Sequence, residues 1–380
     1  MDSTLGTKTA IKSVSQHLVN RISEDGSLTF KVFADSTLPT PDHQNILWHA
    51  ATVEALSRHG NHPIITSHKQ ELIKAANHLK GEGISKANIC SDCLGVWIDS
   101  YSLSHEKNIR KVKLGAVGIA LAALVEMETT QPNFTSKVTL NGLANFIKSM
   151  EIDSGGLAAQ YIPTQTDSIA GIAPLRFAGM AAFALIKYYE YTQEKSWLDF
   201  AYRILNHYAH DNIKNQSSNI DNWITMAYRK FIQTYPSAPG INNYDLEYIK
   251  AHTQKMVEMT LEKQILEDSN STFYGSYDLQ GLTFKTAAKG LTLAYAYWIL
   301  ENNTQLKAKI INSLYASSSF IIRAQIKEGK YKGGIPRAIM RIPSASSFFN
   351  LKQSEIRLDY LILSLDFLHE CQNIFKSSEV

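Results

Sequence analysis

The chain has 380 residues, of which 44% are hydrophobic, 10% aromatic and 19% charged, a composition that builds a packed core and excludes disorder. Its 38 Lys and Arg against 35 Asp and Glu leave a net charge of +3, too small to make nucleic acid or an anionic membrane the main partner. Three cysteines make no disulfide framework and fit a reducing compartment. The N-terminus shows no signal-peptide pattern, and the longest apolar run, Leu114 to Val125, is short of the ~20 residues that span a bilayer. The expectation is a soluble, cytoplasmic protein without membrane insertion.

Helical periodicity dominates the chain, and strand-like alternation is almost confined to Ser27 to Phe33. Periodicity and Pro, Gly and Asn punctuation predict an N-terminal helix near 8–22, then pairs at 43–59 with 67–81, 112–129 with 135–150, and 172–192 with 195–211. Further pairs fall at 219–234 with 243–264 and 282–301 with 304–326, before a last helix near 353–374.

The members of each pair differ in kind. LGAVGIALAALV in 112–129 and FAGMAAFALI in 172–192 are apolar on nearly every side, so protein must surround them. Their partners carry one apolar stripe each, such as Leu198, Ala201, Leu205 and Tyr208, or Leu143, Phe146, Ile147 and Met150. Buried helices alternating with half-buried ones suit an inner ring wrapped by an outer ring. The predicted fold is therefore all-α, an (α/α)6 toroid in one domain spanning 1–380, with residues 1–40 adding a helix and a short strand-like segment that pack on the ring. An α-solenoid also stacks helical hairpins, but the buried helices here start at irregular spacings.

In such a double ring the starts of the inner helices converge on one mouth, and reactive groups gather at those starts. PDHQNILWHA brings Asp42, His43, Asn45 and His49; Asp42 reads as a helix cap, and His49 as a core histidine or an acid–base group. VWIDSYSLSHEKNIRKVKLG carries Trp97, Asp99, Tyr101, Arg110 and Lys113, which read equally as a solvated loop. DSGGLAAQYIP carries a Gly155-Gly156 turn, Gln160 and Tyr161, ahead of Arg176. In IDNWITMAY, Asp221 reads as a cap and Trp223 as a core residue or a sugar-stacking platform. FYGSYDLQGLTFK supplies Tyr274, Tyr277, Asp278 and Lys285. The last segment is the densest, with Gly333, Gly334, Arg337 and Arg341 followed by Glu355, Arg357, Asp359 and Tyr360 at the start of a helix that turns apolar at once. Such charges must be paired or bind something.

Other motifs are weak. Cys90 and Cys93 have CxxC spacing without a second pair, which does not make a zinc site. His59 and His62 read as helix-end residues, and His207 and His210 lack a carboxylate partner, so no metal is expected. Neither a nucleotide-binding glycine motif nor a serine-hydrolase elbow occurs, and no cofactor is expected.

IRLDYLILSLDFL, 356–368, resembles the C-terminal signature of the glucuronyl C5-epimerase type of α/α toroid, in which Arg-x-Asp-Tyr belongs to a uronate-binding cleft. KLGAVGIALAALVE at 113–126, WHAATVEAL at 48–56 and GGIPRA at 333–338 are similar to motifs of a broader group of bacterial α/α-toroid proteins. Trp48 stands where that group has Arg, Ala116 where it has a second Gly, and Gln280 with Gly281 where the epimerases have Arg-His. The resemblance implies a carbohydrate-active enzyme acting on an acidic saccharide by epimerase- or lyase-like proton abstraction. Tyr360 would stand at the reaction centre, Arg357 and Arg337 at the carboxylate, His49 or Tyr277 as opposing acid or base, and Trp223 on the ring, with Tyr277, Asp278 and Glu355 among the substrate-binding residues. For glycoside hydrolysis the carboxylates would be Asp221 with Asp359 or Glu355. The ligand is a small molecule or oligosaccharide, anionic in character. The alternative is a non-catalytic binding scaffold, or a peptide- or lipid-tailoring protein, on the same toroid.

Overall fold

Apolar helices without a polar face set the architecture, and the computed structural model places them as the periodicity predicts. It describes residues 3–35, 37–38, 44–99, 110–163, 168–237 and 244–378. In chain order these form α1 (Ser3–Val19), β1 (Lys31–Phe33), α2 (Ile46–Arg58), α3 (Pro63–Ser67), α4 (Lys69–His78), β2 (Ile84–Lys86), β3 (Leu94–Asp99), β4 (Arg110–Lys113), α5 (Leu114–Thr130) and α6 (Lys137–Ser149). There follow β5 (Ala158–Ile162), β6 (Ser168–Ile172), α7 (Leu175–Thr192), α8 (Lys195–Lys214), α9 (Asn222–Thr234) and α10 (Glu247–Leu261). The chain ends with α11 (Thr283–Ile299), α12 (Thr304–Ala324), α13 (Ser347–Lys352), β7 (Glu355–Arg357) and α14 (Leu358–Ser378). No described helix is long and apolar enough to cross a membrane.

The chain folds as two compact units, each made of discontinuous segments. In the unit formed by Asn45–Arg58 and Ile73–His252, α2 packs on α5, α5 on α7 and α7 on α9, while the half-buried α6 and α8 lie against α5 and α7. The fully buried run from Leu114 to Val125 leaves α5 no polar face, which is why it is enclosed by neighbours. Gly179 lets α7 meet the backbone of α9. A Cβ at that position would lie 2.5 Å from the Trp223 carbonyl carbon and 2.7 Å from the Ile224 Cα.

In the unit formed by Met1–Gln44, His59–Leu72 and Thr253–Val380, α14 packs on α11, α12 and α1. β1 pairs antiparallel with β7, with Lys31 opposite Arg357 and Phe33 opposite Glu355. Gly333 turns the chain under α1 at φ +84°, where a Cβ would run into the Ser13 carbonyl. That turn delivers Arg337, whose backbone N–H donates to the Glu355 carbonyl at 2.7 Å.

The structure corrects the sequence chiefly in its strand content. Strand is not nearly confined to 27–33: an antiparallel sheet of order β2-β3-β4-β5-β6 occupies the stretch read as loops. Its strands are only 3 to 6 residues long, too short for alternation to stand out from noise. Tyr161 and Gln160, expected near a mouth, pair with Val112 and Lys113 in this sheet. Trp97 sits in β3, where Arg110 lies over its ring. α13 was also not anticipated; its Ser346 cap accepts from the Phe349 N–H at 3.2 Å. The segment with Asp42 and His43, and Tyr101, lie outside the described residues.

Candidate active site

The densest group of reactive side chains in the described residues is built where β7 runs into α14. The two elements are continuous, so Glu355, Arg357, Asp359 and Tyr360 leave the backbone within two turns of one another. Arg357 grips Asp359 with a two-point fork, Nε to Oδ1 at 2.8 Å and Nη2 to Oδ2 at 2.7 Å. Its Nη1 lies 3.7 Å from Glu355 Oε1, and the Tyr360 hydroxyl donates to that same oxygen at 3.3 Å. The guanidinium also lies over two rings, 4.9 Å from the centre of Phe30 and 4.8 Å from that of Tyr360. Phe284, from the first turn of α11, stacks on Tyr360 at 4.9 Å.

Electrostatics follow from burial. Glu355, Asp359 and Tyr360 are all buried, whereas the Arg357 side chain keeps 29% of its surface exposed. Burial pulls the Arg357 pKa down, but the charge and hydrogen bonds of Asp359 outweigh it and hold the group firmly cationic. Burial pushes the Asp359 carboxyl up, while the Arg357 fork pulls it back. Burial likewise raises the Tyr360 phenol well above its usual range, so it is protonated at neutral pH and acts as a donor. Arg337 lies over the Phe349 ring, and its buried Nη1 has no hydrogen-bond partner among the described residues.

The other candidates are placed elsewhere or occupied. Tyr277, in the same unit, is buried with its hydroxyl 2.8 Å from Ser313 Oγ, and burial raises its pKa. Asp278 holds its own turn, accepting from the Gln280 N–H at 2.9 Å; its Oδ2 is 3.9 Å from Lys285 Nζ. Arg341 is exposed and donates to Asp35 at 2.8 Å.

His49, Asp221 and Trp223 belong to the other unit. His49 is buried, and its Nε2–H donates to the Ala75 carbonyl at 2.8 Å, the position of a core histidine. Asp221 caps α9, accepting from the N–H groups of Trp223 at 2.9 Å and Ile224 at 3.2 Å. Burial raises its pKa although Arg176 stands 3.8 Å away. At 3% exposure Trp223 is core and offers no ring face for a sugar to stack on.

Two groups escaped the sequence reading. Phe30 and Phe284 enclose Arg357 and Tyr360, and the aromatic at the very start of an apolar helix was the available signal for Phe284. Within the other unit, Glu54 is fully buried and bound by Arg58 at 2.9 Å, and Lys187 bridges it to Glu126. A lysine inside FALIKYY was the clue. His59 and His62 do stand at helix ends, after α2 and before α3, and His59 also bonds Asp366 at 2.9 Å and stacks on His369. Cys90 and Cys93 form a disulfide.

Solved structures share this architecture. A GH76A α-1,6-mannanase from Salegentibacter sp. HEL1_6 matches with a TM-score of 0.64 at 11% identity, over 97% of this chain and 99% of its own. Cellobiose 2-epimerase from Bacillus thermoamylovorans B4167 matches at 0.68 and 11% identity, over 96% and 98%, and a D-mannose isomerase at 0.65 and 10%, over 98% and 97%. The fold is thus that of the α/α toroids, all-α apart from its small sheets. No protein-family model and no curated protein matches the sequence.

Proposed function

We propose that the chain is a carbohydrate-active enzyme of the α/α-toroid kind that moves a proton on a saccharide bearing a carboxylate, as an epimerase or lyase. The observation that carries this reading is the β7–α14 cluster, where a protonated phenol and a carboxylate share one hydrogen bond beside two arginines. Glu355 is the base that accepts the carbon-bound proton α to the sugar carboxylate. Tyr360, held protonated by burial, donates to the charge that develops on oxygen. The unfilled Nη1 of Arg337 takes the substrate carboxylate, and Arg357 holds the frame through its fork to Asp359. The likeness in fold to enzymes described as sugar epimerase, isomerase and mannanase agrees with a saccharide as substrate.

The test is solvent exchange. The full chain is incubated in D2O with uronates and uronate-containing oligosaccharides, and deuterium at the carbon next to the carboxylate is followed by proton NMR. The expected result is incorporation that Tyr360→Phe reduces by about a hundredfold, the lower range for loss of an acid–base group. Incorporation at C2 of neutral aldoses alone refutes the acidic substrate and supports a second reading, a neutral-sugar epimerase or isomerase. That reading is favoured by two of the matched structures. Tyr360→Phe with undiminished exchange refutes the role of the cluster.

A further inference from the structure

A second site shares no lining residue with that cluster, although Arg21 bonds the Ile356 carbonyl of β7: a cavity of about 800 Å³ between α1, the segment entering β1 and the turn at 329–332. Arg21, Lys12, Lys330 and Lys332 line it with His17 and Ser13, and no carboxylate is among its lining residues. Arg21 is only 9% exposed, so its charge sits largely out of water. Its hydrogen bonds among the described residues go to neutral acceptors: Nη1 to the Thr29 carbonyl at 3.0 Å, Nη2 to the Ile356 carbonyl at 3.2 Å, and Nε to His17 Nε2 at 3.3 Å.

His17 has to be neutral for this arrangement, and burial, then the charge of Arg21, pulls its pKa down to about 4. A carbonyl can only accept, so His17 Nδ1 carries the proton donated to the Lys332 carbonyl at 3.2 Å, which leaves Nε2 to accept from Arg21. Burial lowers Arg21 to about 10, and it remains charged at pH 7. A guanidinium has five N–H donors, and three are used. Burying such a charge without a counter-ion is costly, and the described residues of the lining supply none.

We propose that this cavity is a binding site for a phosphate monoester of sugar size. Four cationic side chains with no acid among them match a dianion better than a single carboxylate. The volume is far larger than a phosphate needs and falls in the range of small-molecule sites, about 300–1,000 Å³. The two N–H groups left on Arg21 meet the phosphate oxygens, Lys12, Lys330 and Lys332 surround them, and the polar side chains of α1 face the polyol.

The site is tested by isothermal titration of the full chain, at fixed ionic strength, with glucose 6-phosphate, inorganic phosphate, glucuronate and glucose. Glucose 6-phosphate is expected to bind saturably at one site, inorganic phosphate more weakly, and glucose not at all. Lys12 and Lys332 are exposed, so the double variant Lys12→Gln, Lys332→Gln keeps the fold, checked by circular dichroism, and is expected to weaken binding by about tenfold or more. Tyr360→Phe is expected to leave it unchanged, which separates this site from the proposed catalytic one. No saturable binding of either phosphate compound, or binding indifferent to the double variant, overturns the proposal. Equal affinity for inorganic phosphate and the sugar ester overturns the sugar-sized ligand, and equal affinity for glucuronate overturns the preference for a dianion.

Discussion

Gly179→Ala adds a single methyl group where α7 meets α9. Its Cβ would lie 2.5 Å from the Trp223 carbonyl carbon and 2.7 Å from the Ile224 Cα, against the 3.4 Å at which ordinary contact begins. Backbone cannot swing aside as a side-chain tip does, and the Ile224 backbone N is nearer still, so the helices must separate by about 1 Å. Overpacking costs about 1–3 kcal/mol, and an obstacle made of helix backbone belongs at the upper end. Alanine returns about 1 kcal/mol through its better helix propensity, leaving a net loss of about 2 kcal/mol. With a urea slope of about 3 kcal/mol/M, the unfolding midpoint falls by about 0.7 M. Gly6→Ala is the matched control: the nearest atom to its Cβ would be Ile322 Cδ1 at 3.8 Å, so the same substitution in α1 should be neutral or raise the midpoint. The two midpoints are read by far-ultraviolet circular dichroism. If Gly179→Ala equals wild type, or both variants shift alike, the claim that α7 and α9 touch through backbone is wrong.

His17 predicts a pH dependence. With a folded pKa of about 4 against 6.5, the unfolded chain takes the proton first, so stability is full above pH 6.5 and declines as pH falls through about 4. The total is about 3 kcal/mol at 1.36 kcal/mol per pH unit. His17→Gln, whose amide can donate to Lys332 and accept from Arg21, should lose less between pH 7 and 4.5 in urea titrations. An equal loss in both proteins refutes the assignment. The thiol count is a simpler check: with Cys90 and Cys93 joined and Cys371 buried, the native protein should release no colour with Ellman's reagent and the denatured, unreduced protein one thiol per chain. Three thiols would exclude the disulfide.

Much of the helical order was legible from periodicity because burial and helix geometry act over many residues at once. α5, α7, α11 and α12 begin and end within a few residues of the expected positions. The cap role of Asp221 was legible too, since it depends on neighbours two and three residues away. The RLDY run pointed to the cluster for the same reason, because Arg357, Asp359 and Tyr360 lie within four residues and the Arg357–Asp359 fork needs no distant partner.

What remained illegible depends on partners far along the chain. How much of Arg357 stays in water depends on Phe30 over its guanidinium, and the environment of Tyr360 rests on Phe284, each brought in by a different segment. The sheet from β2 to β6 is held by pairing between strands too short to signal themselves, and His59 meets Asp366 across more than three hundred residues. Patterns along the chain report which face of a helix is buried, because that follows from spacing alone. Which charged group is left without a counter-ion, as at Arg21, follows from packing, where the low dielectric makes each missing partner matter.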